Sequence, residues 1–525
     1  MIQFFKMKKL NYLYYLFLFF ILIGFGYLVS FNSLDPDFGW HLKTGELILE
    51  RGVPKTDWYS FTMPNFSWID HEWLADVLIY KIYSIFGFQI LLLLFLAIAS
   101  ASFVILIKPE NFWFYLLPIL LGFFAIFGFL GIRPQIITVL FIAILWRILI
   151  DFLEDKKLGR QLIYFLPILF VVWANLHGGF FSGLFILFLI LALEAFKKTI
   201  FFEKLIKWPF FNQLNYKKQP IKKIFLLFII IFFSFLTTLV NPYGPRIYEE
   251  IFRTISDNFL RFHIAEWLPL FFGNPSVFTI CYLSLFLGFL IPLRKKIEFN
   301  KLILATVFLI FSLLSQRHFF IFTILTVPIF VELLLLFRKE VKPENVKILF
   351  SGAGKWIILL LAFSLLFSGF YQVTRGLLKE NYHSFYPQKA LPFLKTLPLS
   401  ENLFNEYGWG GYLIWKMPER KLFIDGRMPS WRKGGQFVFG DYVKIIKAEQ
   451  DFQELLDKYD IKIMLLKNDK TEEPRVENRL PDFLKRQKWL LKTLGLSPSK
   501  NLYQELVNSG WQIIYQDGTA VILRR

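Results

Sequence analysis

Residues 12–31, YLYYLFLFFILIGFGYLVSF, and the stretch SLDPDFGWHLKTGE at 33–46 together decide the fold class. The first stretch is apolar, follows three lysines and lacks a small-residue cleavage site, so it predicts a retained signal anchor that spans a membrane. The second stretch places Asp35 and Asp37 two residues apart, with His41 close behind. These groups are either incidental interface chemistry or the start of a reaction centre.

The composition extends the membrane prediction to most of the chain. Of its 525 residues 55% are hydrophobic, and the mean hydropathy of +0.49 excludes an ordinary soluble protein. The net charge of +19 could indicate nucleic-acid binding. Most of the excess Lys and Arg lies in short loops between apolar runs, however, which indicates membrane topology and no nucleic-acid partner. The single Cys281 excludes an intrachain disulfide.

Apolar runs of spanning length recur along the first two-thirds of the chain. Basic loops flank the runs 161–196 and 301–337 on both sides, and such loops stay cytoplasmic, so each run is interpreted as two crossings. The N-terminus is then cytoplasmic and the C-terminus extracytoplasmic, in the cytoplasmic membrane. About eleven spans result, at 11–31, 86–107, 112–132, 135–150, 161–176, 179–196, 223–240, 275–293, 301–316, 318–337 and 355–372.

The chain changes character after this membrane region. Residues 373–525 are polar, and short apolar strands (402–405, 421–425 and 461–466) alternate with helical stretches (408–416, 449–459 and 481–494). The ending WQIIYQDGTAVILRR predicts a hairpin that turns at Asp517-Gly518. The predicted fold is therefore an all-α polytopic membrane domain over 1–372, with a long first outer loop at 32–85, followed by a small α/β extracytoplasmic domain over 373–525.

The predicted topology gathers the chemically capable side chains on the outer side. The first outer loop carries two acidic clusters, Asp35-Pro36-Asp37 and Asp70-His71-Glu72, at opposite ends. Between them a helix is predicted to lie in the membrane interface on the face formed by Trp40, Leu47 and Ile48. The two clusters can therefore converge. Histidines and further polar residues share this side: His41, His71, His177, His263, His318, His383, Arg133, Asn241, Arg246, Glu266 and Arg317.

These residue types suit displacement of a lipid-linked phosphate. Asp37 or Asp35 could act as general base on an acceptor hydroxyl. Carboxylates could also hold Mg²⁺ or Mn²⁺, with Asp37, Asp70 and Glu72 as the candidate ligands. Cationic groups would bind the phosphate. The candidates for that role are His41, His71, Arg133, His177, Arg246, Arg317 and His318.

Each residue also has a plainer interpretation. Asp70 could cap a helix N-terminus, and Asp35-Pro36-Asp37 could be a turn that leaves the membrane. His41 and His71 could be solvated interfacial side chains. Arg133, His177, Arg317 and His318 could extend from helix ends to the membrane surface. That all of them lie on one side of the membrane is stronger evidence for a site than any single assignment.

The stretches DPDFGWHLKTGELILERGVPKTDWYSFT and WIDHEWLADVL resemble the first outer loop of polyprenyl-phosphate-dependent GT-C glycosyltransferases. The opening D-P-D-x-x-W-H and the tail NLFNEYGWGGYLIWKMPERKLFIDGRM resemble a poorly characterised prokaryotic group of this superfamily. The resemblance implies inverting transfer of a sugar from a polyprenyl phosphate. It implies a base or metal-ligand role for Asp35 or Asp37, and it matches Asp70-His71-Glu72 to a metal-binding D-x-E motif.

The resulting hypothesis is a membrane glycosyltransferase that works on the outer face, with a glycan, lipid or protein acceptor. A lipid or glycan transporter or flippase is one alternative, although no inverted repeat or mid-span acid is visible. A non-catalytic envelope protein that binds glycan is the other. In the tail, six residues could form a sugar-contacting lip, or the glycines could serve close packing of a helix on the sheet: Tyr407, Trp409, Gly410, Gly411, Asp425 and Arg427.

Overall fold

The computed structural model of the chain describes residues 2–31, 33–208, 212, 214–272, 275–340, 385–468 and 501–525, with backbone only for 2–11. Contacts divide these residues into two units. The membrane unit contains the described residues up to 31, from 92 to 244 and from 269 to 340. The loop–tail unit contains 33–91, 245–268, 385–468 and 501–525. The predicted span 355–372, helix 481–494 and His383 lie outside the described residues.

Each of the ten other predicted spans contains a helix. Over the described residues, five helices are long and apolar enough to cross a membrane: Tyr12–Ser30, Trp73–Val104, Gln135–Leu153, Lys157–Leu176 and Gln316–Glu340. Three shorter apolar helices accompany them, Phe180–Phe196, Val277–Leu293 and Phe299–Leu314. The helices Phe112–Ala125 and Ile221–Thr237 occupy the two remaining predicted spans. Helical segments are thus where the sequence predicts them, while the count of eleven crossings stays a prediction.

The two apolar runs that were interpreted as pairs of crossings are broken as expected. Helix Leu166–Leu176 ends at His177, whose backbone is extended at φ −166°, and the next helix begins at Phe180. Ser315, with φ −155°, separates Phe299–Leu314 from Phe319–Glu340 in the same way. Helix Trp73–Val104 also bends, at Gly87, where φ is 76°. Glycine adopts this left-handed conformation without strain, so the bend falls there.

A buried ion pair joins the ends of several helices of the membrane unit. Lys197 Nζ lies 2.7 Å from Glu194 Oε1, and both side chains are inaccessible to solvent. Asn300 donates a hydrogen bond of 2.6 Å to the same carboxylate oxygen. Charges buried in this way persist only when they are paired and hydrogen-bonded. Lys197 follows helix Phe180–Phe196 and Asn300 belongs to helix Phe299–Leu314, so the network fixes these two helices together.

The loop–tail unit is built on a four-stranded mixed sheet. Its strands are β1 (Asn402–Asn405), β2 (Ile461–Lys467), β3 (Gln512–Gln516) and β4 (Ala520–Arg524), in the order β1-β2-β4-β3. The β1–β2 pair is parallel and the other two pairs are antiparallel. The β3–β4 hairpin turns at Asp517-Gly518, as predicted, because the Asp517 side chain accepts the N–H groups of Thr519 and Ala520.

One predicted strand, 421–425, is not a strand of this sheet. Leu422 instead forms an isolated parallel bridge with Ser60 of the first loop. The Phe61 N–H donates to Leu422 O at 3.1 Å, and the Leu422 N–H donates to Tyr59 O at 2.9 Å. The segment finds its hydrogen-bonding partner in a distant part of the chain, which local alternation of apolar residues cannot indicate.

The first loop and the tail share one hydrophobic core. Tyr59, Phe66 and Trp68 of the loop are buried against tail residues such as Trp409 and Trp431. Trp40, Leu47 and Ile48 are buried in the protein as well, so the prediction that their face lies in the membrane interface is wrong. Burial of apolar side chains of this size is favourable whether lipid or protein covers them, and here protein covers them. The loop predicted at 32–85 as part of the membrane domain therefore packs with the tail.

Helices from three parts of the chain surround this shared core: the first loop, the middle segment at 245–268, and the tail. They are Phe38–Arg51 and the start of Trp73–Val104 in the loop, Ile247–Ser256 and Leu260–His263 in the middle segment, and Leu391–Leu394, Gly410–Lys416, Val438–Ile446, Phe452–Lys458 and Leu502–Asn508 in the tail.

Candidate functional site

The acid pair Asp35 and Asp37 forms a tight turn directly before helix Phe38–Arg51. The Asp37 N–H donates to Asp35 Oδ1 at 2.9 Å, which is the hydrogen bond of an Asx turn. The Phe38 N–H donates to Asp35 O at 3.1 Å. The predicted turn is thus present. It leaves the Asp37 side chain available for other contacts.

Asp37 lies at the meeting point of the loop and the tail. The indole N–H of Trp40 donates to Asp37 Oδ1 at 2.9 Å. On the tail side, Gly426 is so near that a Cβ built on it would lie 1.8 Å from the same oxygen. Both Asp37 and Gly426 keep part of their surface accessible to solvent. The carboxylate is therefore held firmly, on a residue that keeps part of its surface open to solvent.

The surroundings of Asp37 raise its pKa to about 6. Burial contributes most, and the negative charge of Asp35 adds to it. The positive charge of His41 and the hydrogen bond from Trp40 act in the opposite direction, and Glu266 contributes a smaller rise. A carboxyl group with a pKa of about 6 is ionised at neutral pH and is more basic than an ordinary aspartate, which suits a proton acceptor.

His41 links the two ends of the first loop. Its Nδ1 lies 2.6 Å from Asp76 Oδ1, and its Nε2 lies 3.8 Å from Glu72 Oε2. Gly45 allows this approach, since a Cβ there would lie 2.0 Å from the carbonyl oxygen of Asp76. His41 thus brings the helix that follows Asp37 against Glu72 of the second acidic cluster, while convergence of the two clusters on one centre stays a prediction. Its predicted role at a phosphate stays a prediction, because its observed partners are carboxylates.

Asp76 is the site residue that the sequence interpretation missed. It follows Glu72 by four residues, and its N–H donates to Glu72 O at 3.0 Å where helix Trp73–Val104 begins, so that spacing was the available signal. Asp76 is buried together with Asp70, and their carboxyl groups interact. Burial and the charge of Asp76 raise the pKa of Asp70 well above its usual range.

Asp70 also has the local role that its plainer interpretation suggested. Its Oδ1 accepts the N–H of Glu72 at 3.1 Å, just before helix Trp73–Val104 begins. Over the described residues, no group of three or more His, Cys, Asp or Glu side chains has an arrangement that could hold a metal ion. The predicted set Asp37, Asp70 and Glu72 is not among such groups, and metal binding by these residues stays a prediction.

A buried arginine in the tail forms the second charged centre of the unit. The Arg427 guanidinium donates from Nε to Asp425 Oδ1 at 2.8 Å and from Nη2 to Asp425 Oδ2 at 2.7 Å. Nη2 also donates to Asp57 Oδ1 of the first loop at 2.8 Å. The guanidinium lies 4.3 Å from the ring centre of Trp68 and 4.6 Å from that of Tyr59. Asp57 was not predicted, and nothing in its local sequence marks it.

The tail glycines serve close packing, although against two turns and not, as the second interpretation had it, against the sheet. A Cβ on Gly411 would lie 2.2 Å from Pro36 O, and a Cβ on Gly410 would lie 2.6 Å from Asp425 Cα. Helix Gly410–Lys416 thereby contacts both the acidic turn of the loop and the Asp425-Gly426-Arg427 turn of the tail. The glycines bring these two turns together, and a sugar-contacting role of the six tail residues stays a prediction.

The other predicted phosphate ligands lie in different surroundings. Arg246 is exposed and donates to Ser67 Oγ at 2.6 Å, and His71 Nε2 lies 3.8 Å from Glu72 Oε1. His177 Nδ1 lies 2.7 Å from Thr138 Oγ1 and accepts the Gly179 N–H at the helix break. The remaining candidates lie at helix junctions of the membrane unit, as does His177: Arg133, Arg317 and His318. Phosphate binding by each stays a prediction.

Comparison with known proteins identifies the fold. No protein-family model and no curated protein matches the sequence. The crystal structure of the Archaeoglobus fulgidus oligosaccharyltransferase, tethered to an acceptor peptide with an NVT sequon, matches with a TM-score of 0.50 and 12% identity. The match covers 86% of this chain and 69% of that chain. The chain has a GT-C-like fold.

At this identity the likeness shows the fold alone. The GT-C resemblance of the sequence is confirmed at that level, whereas membership of the poorly characterised prokaryotic group stays a prediction. Together with the apolar helices, the likeness makes this GT-C-like chain a multi-pass membrane protein.

Proposed function

We propose that the chain is a membrane glycosyltransferase that moves a sugar from a polyprenyl-phosphate donor to an acceptor hydroxyl on the outer face of the cytoplasmic membrane. The observation that carries the proposal is Asp37. It is a partly exposed carboxylate with a pKa of about 6 that follows the first membrane helix, in a chain with the fold of an oligosaccharyltransferase. The acceptor is a glycan, lipid or protein.

In the proposed step, the acceptor oxygen attacks the anomeric carbon while the bond from that carbon to the phosphate oxygen breaks. The bonding electrons leave with the lipid phosphate, and the hydroxyl proton passes to Asp37. Attack from the face opposite the leaving group inverts the configuration. Asp35 holds the backbone of Asp37, and Trp40 orients its carboxylate. The rate then falls as the pH drops below about 6, because the base becomes protonated.

The departing phosphate needs positive charge nearby. Among the predicted cations, His41, His71 and Arg246 belong to the same unit as Asp37, and these three are the proposed ligands. A divalent ion would supply charge stabilisation as a Lewis acid. Over the described residues no group of ligands for such an ion is in place, so the proposed step is written with the cationic side chains alone.

The test is transfer by purified protein in nanodiscs from a panel of polyprenyl-phosphate sugars. Wild type should release or transfer one of these sugars. Asp37→Asn keeps the size of the side chain and removes its basicity, so it should lower the rate on the order of a hundredfold or more. Glu50→Gln is the matched control, because Glu50 lies exposed on the helix that follows Asp37 and contacts no site residue.

The outcomes separate the class of protein from the choice of base. Transfer by wild type that Asp37→Asn leaves unchanged would retain the enzyme class and transfer the role of base to Asp35 or Asp70. If folded wild type turns over none of the donors, the proposed function is wrong. The transport and glycan-binding alternatives then become the better explanations.

A further inference from the structure

The tail turn Asp425-Gly426-Arg427 contacts the carboxylate of Asp37. The three heavy atoms nearest to a Cβ built on Gly426 all belong to Asp37: Oδ1 at 1.8 Å, Cγ at 2.9 Å and Oδ2 at 3.4 Å. The φ of Gly426 does not lie in the left-handed region. The backbone conformation therefore does not require glycine at this position. A Cβ here would instead displace the Asp37 carboxylate.

Several buried contacts fix the turn in place. Arg427 donates two side-chain hydrogen bonds and its own N–H to Asp425, and it donates one further bond to Asp57 of the loop. Just before the turn, Asn405 donates to Ile424 O at 2.9 Å and accepts the Phe423 N–H at 3.0 Å. The side chains of Arg427, Asp57 and Asp425 are almost completely shielded from solvent. Gly426 is thus part of a rigid surface.

The carboxylate of Asp37 therefore has contacts on two sides. Trp40 donates to it from the loop, and Gly426 limits its movement from the tail. We propose that Gly426 is a positioning residue for Asp37, and that the tail thereby completes the site that activates the acceptor. This inference rests on the proposed function. Catalytic groups that are displaced by about 1 Å can lose on the order of a hundredfold in rate.

Gly426→Ala tests the inference, with Gly408→Ala as its control. Gly408 lies in the same part of the tail, and a Cβ there would meet only Phe385, at an ordinary 3.6 Å. Gly426→Ala should lower kcat on the order of a hundredfold, change the KM for the donor much less, and shift the acid limb of the pH profile. A glycine that served only stability would lower the yield of folded protein and leave these parameters unchanged.

A double-mutant cycle on thermal unfolding tests the contact without any assay of activity. Asp37→Ala removes the atoms that the new Cβ would meet. Gly426→Ala should therefore destabilise wild type and have little effect in the Asp37→Ala background, whereas Gly408→Ala should act equally in both. If Gly426→Ala alone does not fold, Asp37→Ala must restore folding, and failure to do so overturns the inference.

Two results overturn the positioning role while the proposed function stands. The first is a folded Gly426→Ala variant whose kcat and acid limb equal those of wild type. The second is an effect of Gly426→Ala on stability that is the same with and without Asp37→Ala. Absence of transfer by folded wild type overturns the proposed function, and the catalytic role of Gly426 with it. In that case the double-mutant cycle still reports on the contact. Non-additive effects of Gly426→Ala and Asp37→Ala on stability would show that the two residues touch, although the proposed chemistry does not occur.

Discussion

At the scale of one residue, Asp37 shows how the requirements of a catalytic site can lower the stability of the folded chain. A carboxylate in this position loses hydration and faces the charge of Asp35, so its ionised form is less favourable in the folded chain than in the unfolded one. A proton acceptor needs that basicity. The residue that the proposal assigns to chemistry should therefore lower the stability of the fold at neutral pH.

We predict that Asp37→Asn stabilises the protein above pH 7. The folded carboxyl has a pKa of about 6 and the ordinary value is 3.8, so folding binds protons between these values and wild-type stability decreases as the pH rises through them. Asn carries no charge and can still accept from Trp40. The gain should be about 1–3 kcal/mol at pH 8, because partial exposure weakens the effect of the shift.

Thermal unfolding in detergent from pH 4 to pH 8 measures this effect. The difference between Asp37→Asn and wild type should shrink towards pH 4, where the wild-type carboxyl is protonated in the folded state. A difference that is independent of pH would contradict the pKa assigned to Asp37. Glu50→Gln again provides the comparison, since Glu50 is exposed.

At the scale of elements, glycines decide how closely the loop and the tail approach. Helix Phe38–Arg51 crosses helix Gly410–Lys416 where Gly39 meets Gly411. A Cβ on Gly39 would lie 2.1 Å from the carbonyl oxygen of Gly411, which belongs to rigid backbone. The crossing therefore needs a small residue on each helix, and it also brings Pro36 and the acidic turn against the tail.

We predict that Gly39→Ala lowers the stability of the loop–tail unit by about 1–3 kcal/mol, because the added methyl group overpacks a backbone contact. Gly288→Ala is the control. Gly288 lies inside helix Val277–Leu293, and a Cβ there would meet nothing within 4 Å. Alanine favours helix over glycine, so this control should be neutral or slightly stabilising. Unfolding midpoints of the two variants, measured side by side, check the prediction, and equal midpoints would refute it.

At the scale of the whole molecule, the buried Arg427 joins segments that are distant in sequence. Asp57 and Arg427 are separated by 370 positions, yet their side chains are 2.8 Å apart and shielded from solvent. Burial alone would lower the pKa of Arg427, but the carboxylates of Asp425 and Asp57 outweigh it, so the pKa is raised above its usual value. The cation remains charged and holds the loop to the tail.

We predict that Arg427→Met destabilises the protein by about 3–5 kcal/mol, since it leaves two buried carboxylates without their cation. Asp57→Asn in the same background should recover part of that loss. Arg525→Met, which removes an exposed ion pair with Asp457, should change stability by less than about 1 kcal/mol. Limited proteolysis of the loop and thermal unfolding both report the effect, and equal behaviour of the two arginine variants would contradict the assigned role of Arg427.

Features that depend on neighbouring residues are predictable from the chain order alone. Apolar runs predicted the helices, basic loops predicted the breaks near His177 and Ser315, and Asp517-Gly518 predicted the hairpin. The position of the acid pair at the end of the first membrane helix was also readable, because it follows from chain order alone.

Contacts between groups that are distant in sequence become visible only in the folded chain. Asp57 and Asp76 acquire their roles from partners that folding supplies, namely Arg427 and His41. The face of Trp40, Leu47 and Ile48 is apolar whether lipid or protein covers it, so its pattern could not distinguish the two. The fit of Gly426 against Asp37 is likewise a contact between distant segments. Local propensities are encoded in adjacent residues, whereas such contacts depend on how the whole unit packs.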